Sequence, residues 1–168
     1  MAKAYENYPF TINLVCNILS LAIYGIGAYL LALISIYIMF FYLLFVLLSE
    51  YRLLKHSCRH CYYYGKRCAF GKGKVCSILF SKGNAKTFTS RKITRKSLIP
   101  DFLVFLVPFV AGIALLIMHF SGVVLVLVVI LFLLGSMGNA FVRSNLACKY
   151  CKQRGIGCPA EKLFKKKN

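Results

Sequence analysis

Cys58, Cys61 and Cys68 are spaced C-x2-C-x6-C, and Cys148, Cys151 and Cys158 repeat that spacing at an offset of 90 residues. Written out, CRHCYYYGKRC aligns with CKYCKQRGIGC without a gap, with Gly65 opposite Gly155 and Arg59 opposite Lys149. Thiolates two residues apart can bite one tetrahedral ion, and a third and fourth ligand then arrive from further along the chain. Zinc is therefore the leading cofactor candidate. Cys76 supplies a fourth ligand to the first set. The second set has three cysteines and must borrow one, from His56, from His60 or by sharing a bridging thiolate. The blander reading of both histidines is that of interfacial polar residues, since His60 lies inside the first C-x2-C and would point away from a metal held by its neighbours.

Two other chemistries compete. An iron–sulfur cluster needs four cysteines for a closed cube, and three would leave one iron open; the spacing here is not that of the common ferredoxin runs. Reactive or unliganded thiols are the remaining option. Disulfides are disfavoured on a reducing cytoplasmic face, where an odd number of cysteines would in any case leave one over. The doubled C-x2-C-x6-C resembles, in spacing, the two halves of the fungal binuclear zinc cluster, in which six cysteines hold two zinc ions with two thiolates bridging. The resemblance implies Cys58, Cys61, Cys68, Cys148, Cys151 and Cys158 as ligands. It covers only the two short cysteine stretches, which are separated here by a whole apolar hairpin, so it bears on ligand geometry and not on DNA binding.

The elements that must position these residues follow from where charge is absent. The chain has 168 residues, 60% of them hydrophobic, yet carries 22 Lys and Arg against four acidic residues, a formal charge of +18. No charged residue occurs from Asn7 to Ser49, and His119 is the one ionisable side chain from Phe102 to Val142. Each apolar stretch has about forty residues, where a spanning helix needs about twenty. A single helix of that length would extend about 60 Å, twice the hydrocarbon thickness. Each stretch is thus expected to fold as two helices, broken near Gly25 and Gly27 in the first and near His119, Ser121 and Gly122 in the second. The start, MAKAYENYPF, lacks the basic region, apolar core and cleavage site of a signal peptide. The expected fold is an all-α integral membrane protein of four transmembrane helices, arranged as two tandem hairpins, each followed by a cysteine knuckle. The segments are a first hairpin (1–49), a basic cysteine-rich loop (50–99), a second hairpin (100–142) and a basic cysteine-rich tail (143–168). Pro9 and Pro100 each open a hairpin, and the chain reads as a duplication of one unit. Parallel repeats of this kind could bring the two knuckles together.

Basic residues set the orientation. Thirteen of them lie between Glu50 and Pro100, eight from Arg143 onward and one at Lys3. With four spans, head, loop and tail share one side, and the positive-inside rule makes it cytoplasmic, with both termini there and the protein multi-pass in the cell membrane. Arg91, Lys92, Arg95 and Lys96 recur at helical spacing just before the third span and are expected to rest on anionic lipid head groups, each worth about 1 kcal/mol. A docking site for another phosphate-bearing partner is the sharper alternative. Lys165, Lys166 and Lys167 read as a solvated tail, and Tyr62, Tyr63 and Tyr64 as residues that pack around a small metal knuckle or sit at the bilayer interface.

The spans themselves argue against an ion-coupled transporter, because no ionisable residue sits midway along them. Asn13, Asn17 and Ser20 share a face of the first helix and suit interhelical hydrogen bonding; Gly135, Ser136 and Gly138 suit close packing of the fourth. Cys16 reads as an ordinary small apolar residue. No nucleophile elbow, Walker loop, zinc-protease helix or dinucleotide fingerprint occurs. Three functions remain in play: a non-catalytic membrane subunit or scaffold with a zinc–cysteine cytoplasmic face open to a protein partner; an iron–sulfur electron-transfer subunit; and a metal-dependent enzyme acting on a lipid or prenyl phosphate. Nucleic acid is not an expected partner.

Overall fold

The computed structural model describes residues 4–90 and 95–159, the side chains of 95–98 excepted. Among the described residues the chain is helical throughout, and its only sheet-like pairing is an isolated parallel bridge between Tyr5 and Cys151. The helices are α1 (Phe10–Ala32), α2 (Ile36–His56), α3 (Lys72–Leu79), α4 (Ala85–Ser90), α5 (Arg95–Met118), α6 (Gly122–Leu133), α7 (Asn139–Phe141) and α8 (Lys152–Gly157). Wider π turns at Leu134–Gly138 and Val142–Cys148 flank α7, so the fourth apolar segment is helical from Gly122 to Cys148. Four helical segments are long and apolar enough to cross a membrane: Phe10–Ala32, Ile36–His60, Ile99–Met118 and Gly122–Cys148. At most 28% of the best apolar window of any of them is buried inside the protein. Side chains such as Leu21, Phe41, Ile117 and Val123 point outward, which water would penalise and hydrocarbon would not.

Two sequence expectations about these helices need correction. The first break falls not at Gly25 and Gly27 but at Leu33–Ser35, where the amide of Ser35 still bonds Leu31 O at 3.0 Å and α2 starts one residue later. Gly27 serves a close approach. A Cβ there would meet Tyr42 Oη at 2.7 Å and Pro108 Cγ at 3.0 Å, so glycine lets neighbouring elements touch without interrupting its own helix. Pro100 likewise does not open a helix, because α5 already begins at Arg95 and carries both Pro100 and Pro108 inside it. The second break lies where it is expected, between Met118 and Gly122.

The chain divides into two compact units. The first comprises Met1–Asn17, Tyr51–Leu98 and Val142–Asn168; the second comprises Ile18–Glu50 and Ile99–Phe141. The second unit, the span unit, has two aliphatic centres: Ile23, Leu30, Val124, Val128 and Leu131 in one, and Leu31, Tyr42, Val46 and Val104 in the other. Its buried polar contact has a clear cause. Pro108 has no amide hydrogen, so Val104 O loses the donor that would normally come from four residues on. The Tyr42 hydroxyl donates to that carbonyl at 3.0 Å and satisfies it. In hydrocarbon such a carbonyl has no water to turn to, so a tyrosine from α2 repairs the proline in α5. Tyr24 similarly donates to Glu50 Oε1 at 2.7 Å, giving the carboxylate at the end of the first apolar stretch a partner.

Candidate functional site

All eight cysteines belong to the first unit, including Cys16, which lies within α1 and its apolar segment. All eight are free thiols. The two C-x2-C turns are built alike. A 3-10 turn over Cys58–His60 brings Cys61 N to Cys58 O at 3.2 Å, and Tyr64 N then reaches Cys61 O at 3.1 Å. In the second, Cys151 N reaches Cys148 O at 3.3 Å and Arg154 N reaches Cys151 O at 3.1 Å. These are the same bonds at equivalent positions. The glycines are not equivalent. Gly65 turns with φ 72°, whereas the left-handed residue of the second stretch is Gly157 at φ 128°, not Gly155.

The two turns lie against each other. Tyr62 N donates to Gln153 Oε1 at 2.7 Å, and Lys152 N donates to the Tyr63 hydroxyl at 3.0 Å. That hydroxyl in turn donates to Tyr5 O at 2.6 Å. The head of the chain, read from sequence only as lacking a signal peptide, is the thread that joins them. Tyr5 N bonds Tyr150 O at 3.0 Å, Tyr8 N bonds Arg67 O at 2.9 Å, and the Tyr8 hydroxyl donates to Ala147 O. The rings of Tyr5, Tyr8, Tyr62, Tyr63 and Tyr150 form a chain of edge and tilted contacts with centroids 5.1 to 5.5 Å apart. Such contacts each add roughly 0.5–1.5 kcal/mol beyond burial.

The core of this unit is therefore aromatic and hydrogen-bonded. Tyr63 and Tyr8 are each 2% exposed and Gln153 is 3% exposed, while the aliphatics Val75, Ile78 and Leu79 face outward and Leu54 and Val142 are buried. Asn13 donates to Cys68 O at 3.0 Å, and Asn17 to Asn13 O at 2.8 Å. The asparagine face of α1 thus clamps the cysteine loop; the interhelical bonding expected of Asn13 and Asn17 is not what these contacts provide. Gly71, at φ 69°, lies where a Cβ would meet Asn13 Nδ2 at 2.9 Å, and this position admits glycine on both counts.

The thiols influence one another. Cys61 is pushed up to about 11, first by burial and then by the nearby thiols of Cys151, Cys68 and Cys158, against a backbone hydrogen bond from Tyr63 that pulls the other way. Burial also raises Cys151, with Cys148 and Cys158 adding to it. Cys58 lies within electrostatic reach of Cys68, Cys61 and Cys76. Cys76 is fully buried, its thiol directed at Leu54 O at 3.5 Å; burial raises it, and Arg59 opposes that shift. At neutral pH the raised thiols Cys61, Cys151 and Cys76 are protonated. Among the described residues no three His, Cys, Asp or Glu side chains stand in an arrangement that could hold a metal ion. The donor chemistry suits a soft ion, and holding one would require the thiol side chains to turn toward a common point.

His60 is engaged elsewhere, with Nδ1 3.1 Å from Asn84 O, and His56 is exposed. Arg91 and Lys92 lie outside the described residues, as do Lys165, Lys166 and Lys167, and of Arg95 and Lys96 only the helical backbone is described. Around the turns, Lys66 and Lys152 sit over the Tyr62 ring at 4.4 and 5.1 Å, and Arg143 lies 5.6 Å from the Phe70 ring. Lys152 also pairs with Glu6 at 2.5 Å, which holds that carboxylate below its ordinary value. Sequence reasoning missed Tyr5, Tyr8 and Gln153, whose roles depend on partners more than fifty residues away; only the unusual density of tyrosines near the cysteines hinted at them. No family model, curated protein or solved structure matches this chain.

Proposed function

We propose that this chain is a non-catalytic, multi-pass subunit or scaffold of the cell membrane whose cysteine-bearing unit binds zinc through thiolates on the cytoplasmic side. One observation carries the reading: both C-x2-C turns, with all seven cysteines outside the apolar stretches, belong to one compact unit, and hydrogen bonds join the turns directly. The chemistry is consistent with it. Thiolates are soft ligands that suit zinc, and the surrounding lysines and arginines offset the negative charge that a thiolate set acquires. A loop whose aliphatic side chains mostly face outward gains from such a staple, since structural zinc in small folds contributes on the order of 10 kcal/mol. The basic surface would face anionic lipid head groups and a protein partner. The matching backbone bonds of the two turns support a duplicated unit, with the two halves since diverging at their glycines.

Elemental analysis of the detergent-purified chain tests this. At least one zinc per chain is expected, lost to a strong chelator and regained on adding Zn²⁺. Iron with visible absorption near 400 nm would replace the zinc reading by an iron–sulfur one. A metal-free protein that takes up neither would overturn the metal reading. Orientation is tested separately with reporter cysteines at Ser35 and Ser121, in the two tight turns; both should label from outside intact cells. Labelling of a native loop cysteine from outside instead would reverse the topology.

A further inference from the structure

The short helix α3 turns a row of apolar side chains away from the protein. Val75, Ile78 and Leu79 follow the i, i+3, i+4 spacing of one helix face and are 47%, 84% and 57% exposed. At about 3.6 residues per turn, Lys74 and Lys72 border that face on its two sides. The opposite face is fixed. A Cβ at Gly73 would collide with Tyr63 O and Lys66 O, so this glycine packs directly on backbone, and Gly65 N bonds Gly73 O at 3.0 Å. Cys76 is fully buried, its thiol directed at Leu54 O at 3.5 Å. The helix therefore cannot roll to bury its own apolar row. Where it is held decides what that row meets. Beside its N-terminal cap stand two side chains of α1, since a Cβ at Gly71 would meet Asn13 Nδ2 at 2.9 Å and Asn17 Nδ2 at 3.6 Å. Just past its C-terminus, Phe80 packs on Tyr51 of α2 with ring centroids 5.4 Å apart. Asn13 and Asn17 lie in the opening turns of the span segment Phe10–Ala32, and Tyr51 and Leu54 in the closing turns of Ile36–His60; all four belong to the first unit. Both places border charge, with Glu6 ahead of α1 and Glu50, Arg52 and Lys55 at the end of α2. Such places are where a spanning helix leaves hydrocarbon for head groups.

We infer that α3 is an interfacial helix, lying along the surface of the same membrane that the apolar segments cross. Val75, Ile78 and Leu79 enter the acyl-chain boundary, and Lys72, Lys74 and Lys82 reach anionic head groups. Two observations select lipid as the occupant of this face. The helix is pinned to the ends of two spans, so lipid is beside it without any further encounter. The segment from Tyr51 to Pro100 holds thirteen basic residues and no acidic one, so its charge has to be balanced from outside it, and anionic head groups do so. Eight residues make a helix about 12 Å long, too short to persist alone in water. The contacts with α1 and α2 preform it, and the apolar row enters lipid without first having to order a helix. The inference rests on the membrane reading of the four apolar segments and is independent of metal binding.

The chain contains no tryptophan, so a single introduced one reports on its own position. The test places Ile78→Trp in the full-length chain, reconstituted into phosphatidylcholine–phosphatidylglycerol vesicles. Its emission should be quenched by lipids brominated on the acyl chains. It should also be several-fold less accessible to aqueous acrylamide than that of Ser77→Trp, at an exposed position off the apolar row. Quenching of Ile78→Trp by acrylamide and not by brominated lipid would place the row in water and overturn the inference. Protection from both quenchers would mean that protein, such as a second copy of the chain, covers the row, and would overturn it equally. Leu21→Trp, outward-facing in the first span, is the reference for lipid contact. Its failure to be quenched by brominated lipid would overturn the membrane reading itself, and the inference with it. Ile78→Glu gives a measure free of added aromatic surface, at a side chain too exposed to disturb the core. In the same vesicles it should speed tryptic cleavage at Lys82 several-fold by lifting α3 from the lipid. Cleavage at the wild-type rate would sink the interfacial helix.

Discussion

The cysteine-bearing unit and the span unit of this chain are held together by different means. All 22 Lys and Arg and all eight cysteines fall in the segments of the first, and none in the second. The first is closed by tyrosine hydroxyls and a glutamine buried against backbone groups, the second by Ile, Leu and Val with one tyrosine repairing a proline. The difference follows from solvent. Helices bathed in hydrocarbon may leave apolar side chains outward and need few inward contacts, but no backbone carbonyl can go unpaired. A polar loop in water can leave carbonyls to solvent, yet it must find some source of cohesion other than aliphatic burial. Perturbations should therefore stay within the unit they strike.

The largest separation is expected from Tyr63→Ala. It removes a buried ring and two hydrogen bonds, at a cost of about 3–5 kcal/mol. Hydrogen exchange should accelerate around the head and both cysteine turns while α5 and α6 keep their protection. Equal acceleration in those helices would show that the two units unfold together.

The complementary perturbation is Tyr42→Phe, which strands Val104 O and should destabilise the span unit by about 1–3 kcal/mol. Pro108→Ala supplies the missing amide hydrogen, so the double variant should recover most of that loss, measured as thermal unfolding in detergent. Purely additive effects would mean that the hydroxyl and the proline are not coupled.

Alkaline pH should act on the first unit when it is metal-free. The folded state holds the Cys61 proton up to about 11 against an ordinary value of 9.0, and the Tyr63 proton up to about 12 against 10.0, in both cases chiefly through burial. The folded chain then binds more protons than the unfolded chain, so this stabilisation is complete below about pH 9 and is lost as pH rises toward 11–12. Proteolysis at the loop and tail should increase across that window. A flat response would place both groups in water.

The smallest effect is expected at the Lys152–Glu6 pair, which is exposed on both sides. Glu6 is held low by Lys152, so the contact is present above the ordinary carboxylate range and lost as pH falls through the depressed value. Glu6→Gln should leave unfolding of either unit unchanged within error, and salt should weaken the pair further. A measurable loss would mean that the head is held by charge more than by Tyr5 and Tyr8.

Much of the architecture was legible because it rests on composition. A stretch such as FLVFLVPFVAGIALLIMHF must be helical in lipid, and its length limits how often it can cross. The turn near Ser121 was readable from its polar residues. The turn at Leu33–Ser35 was not, because glycine carries two meanings in a membrane helix, and Gly27 is there for a neighbour and not for a bend. The cysteine pattern was legible as a repeat of spacing, but the Gly65–Gly155 match within it was not a match of backbone.

The sequence by itself determined that the chain carries four apolar segments able to span a bilayer and gathers its basic charge, with seven of its eight cysteines, outside the two uncharged stretches, because both depend on the water–hydrocarbon transfer of local segments. Only the tertiary structure decided that the two cysteine turns meet. The residues that follow Cys61 meet those that follow Cys151 because Tyr62 pairs with Gln153 and Tyr63 with Lys152, partners 91 and 89 positions apart, and Tyr5 accepts from Tyr63 as well. Pairings at that separation are selected by complementary hydrogen-bonding groups in a buried setting, and no local periodicity records them.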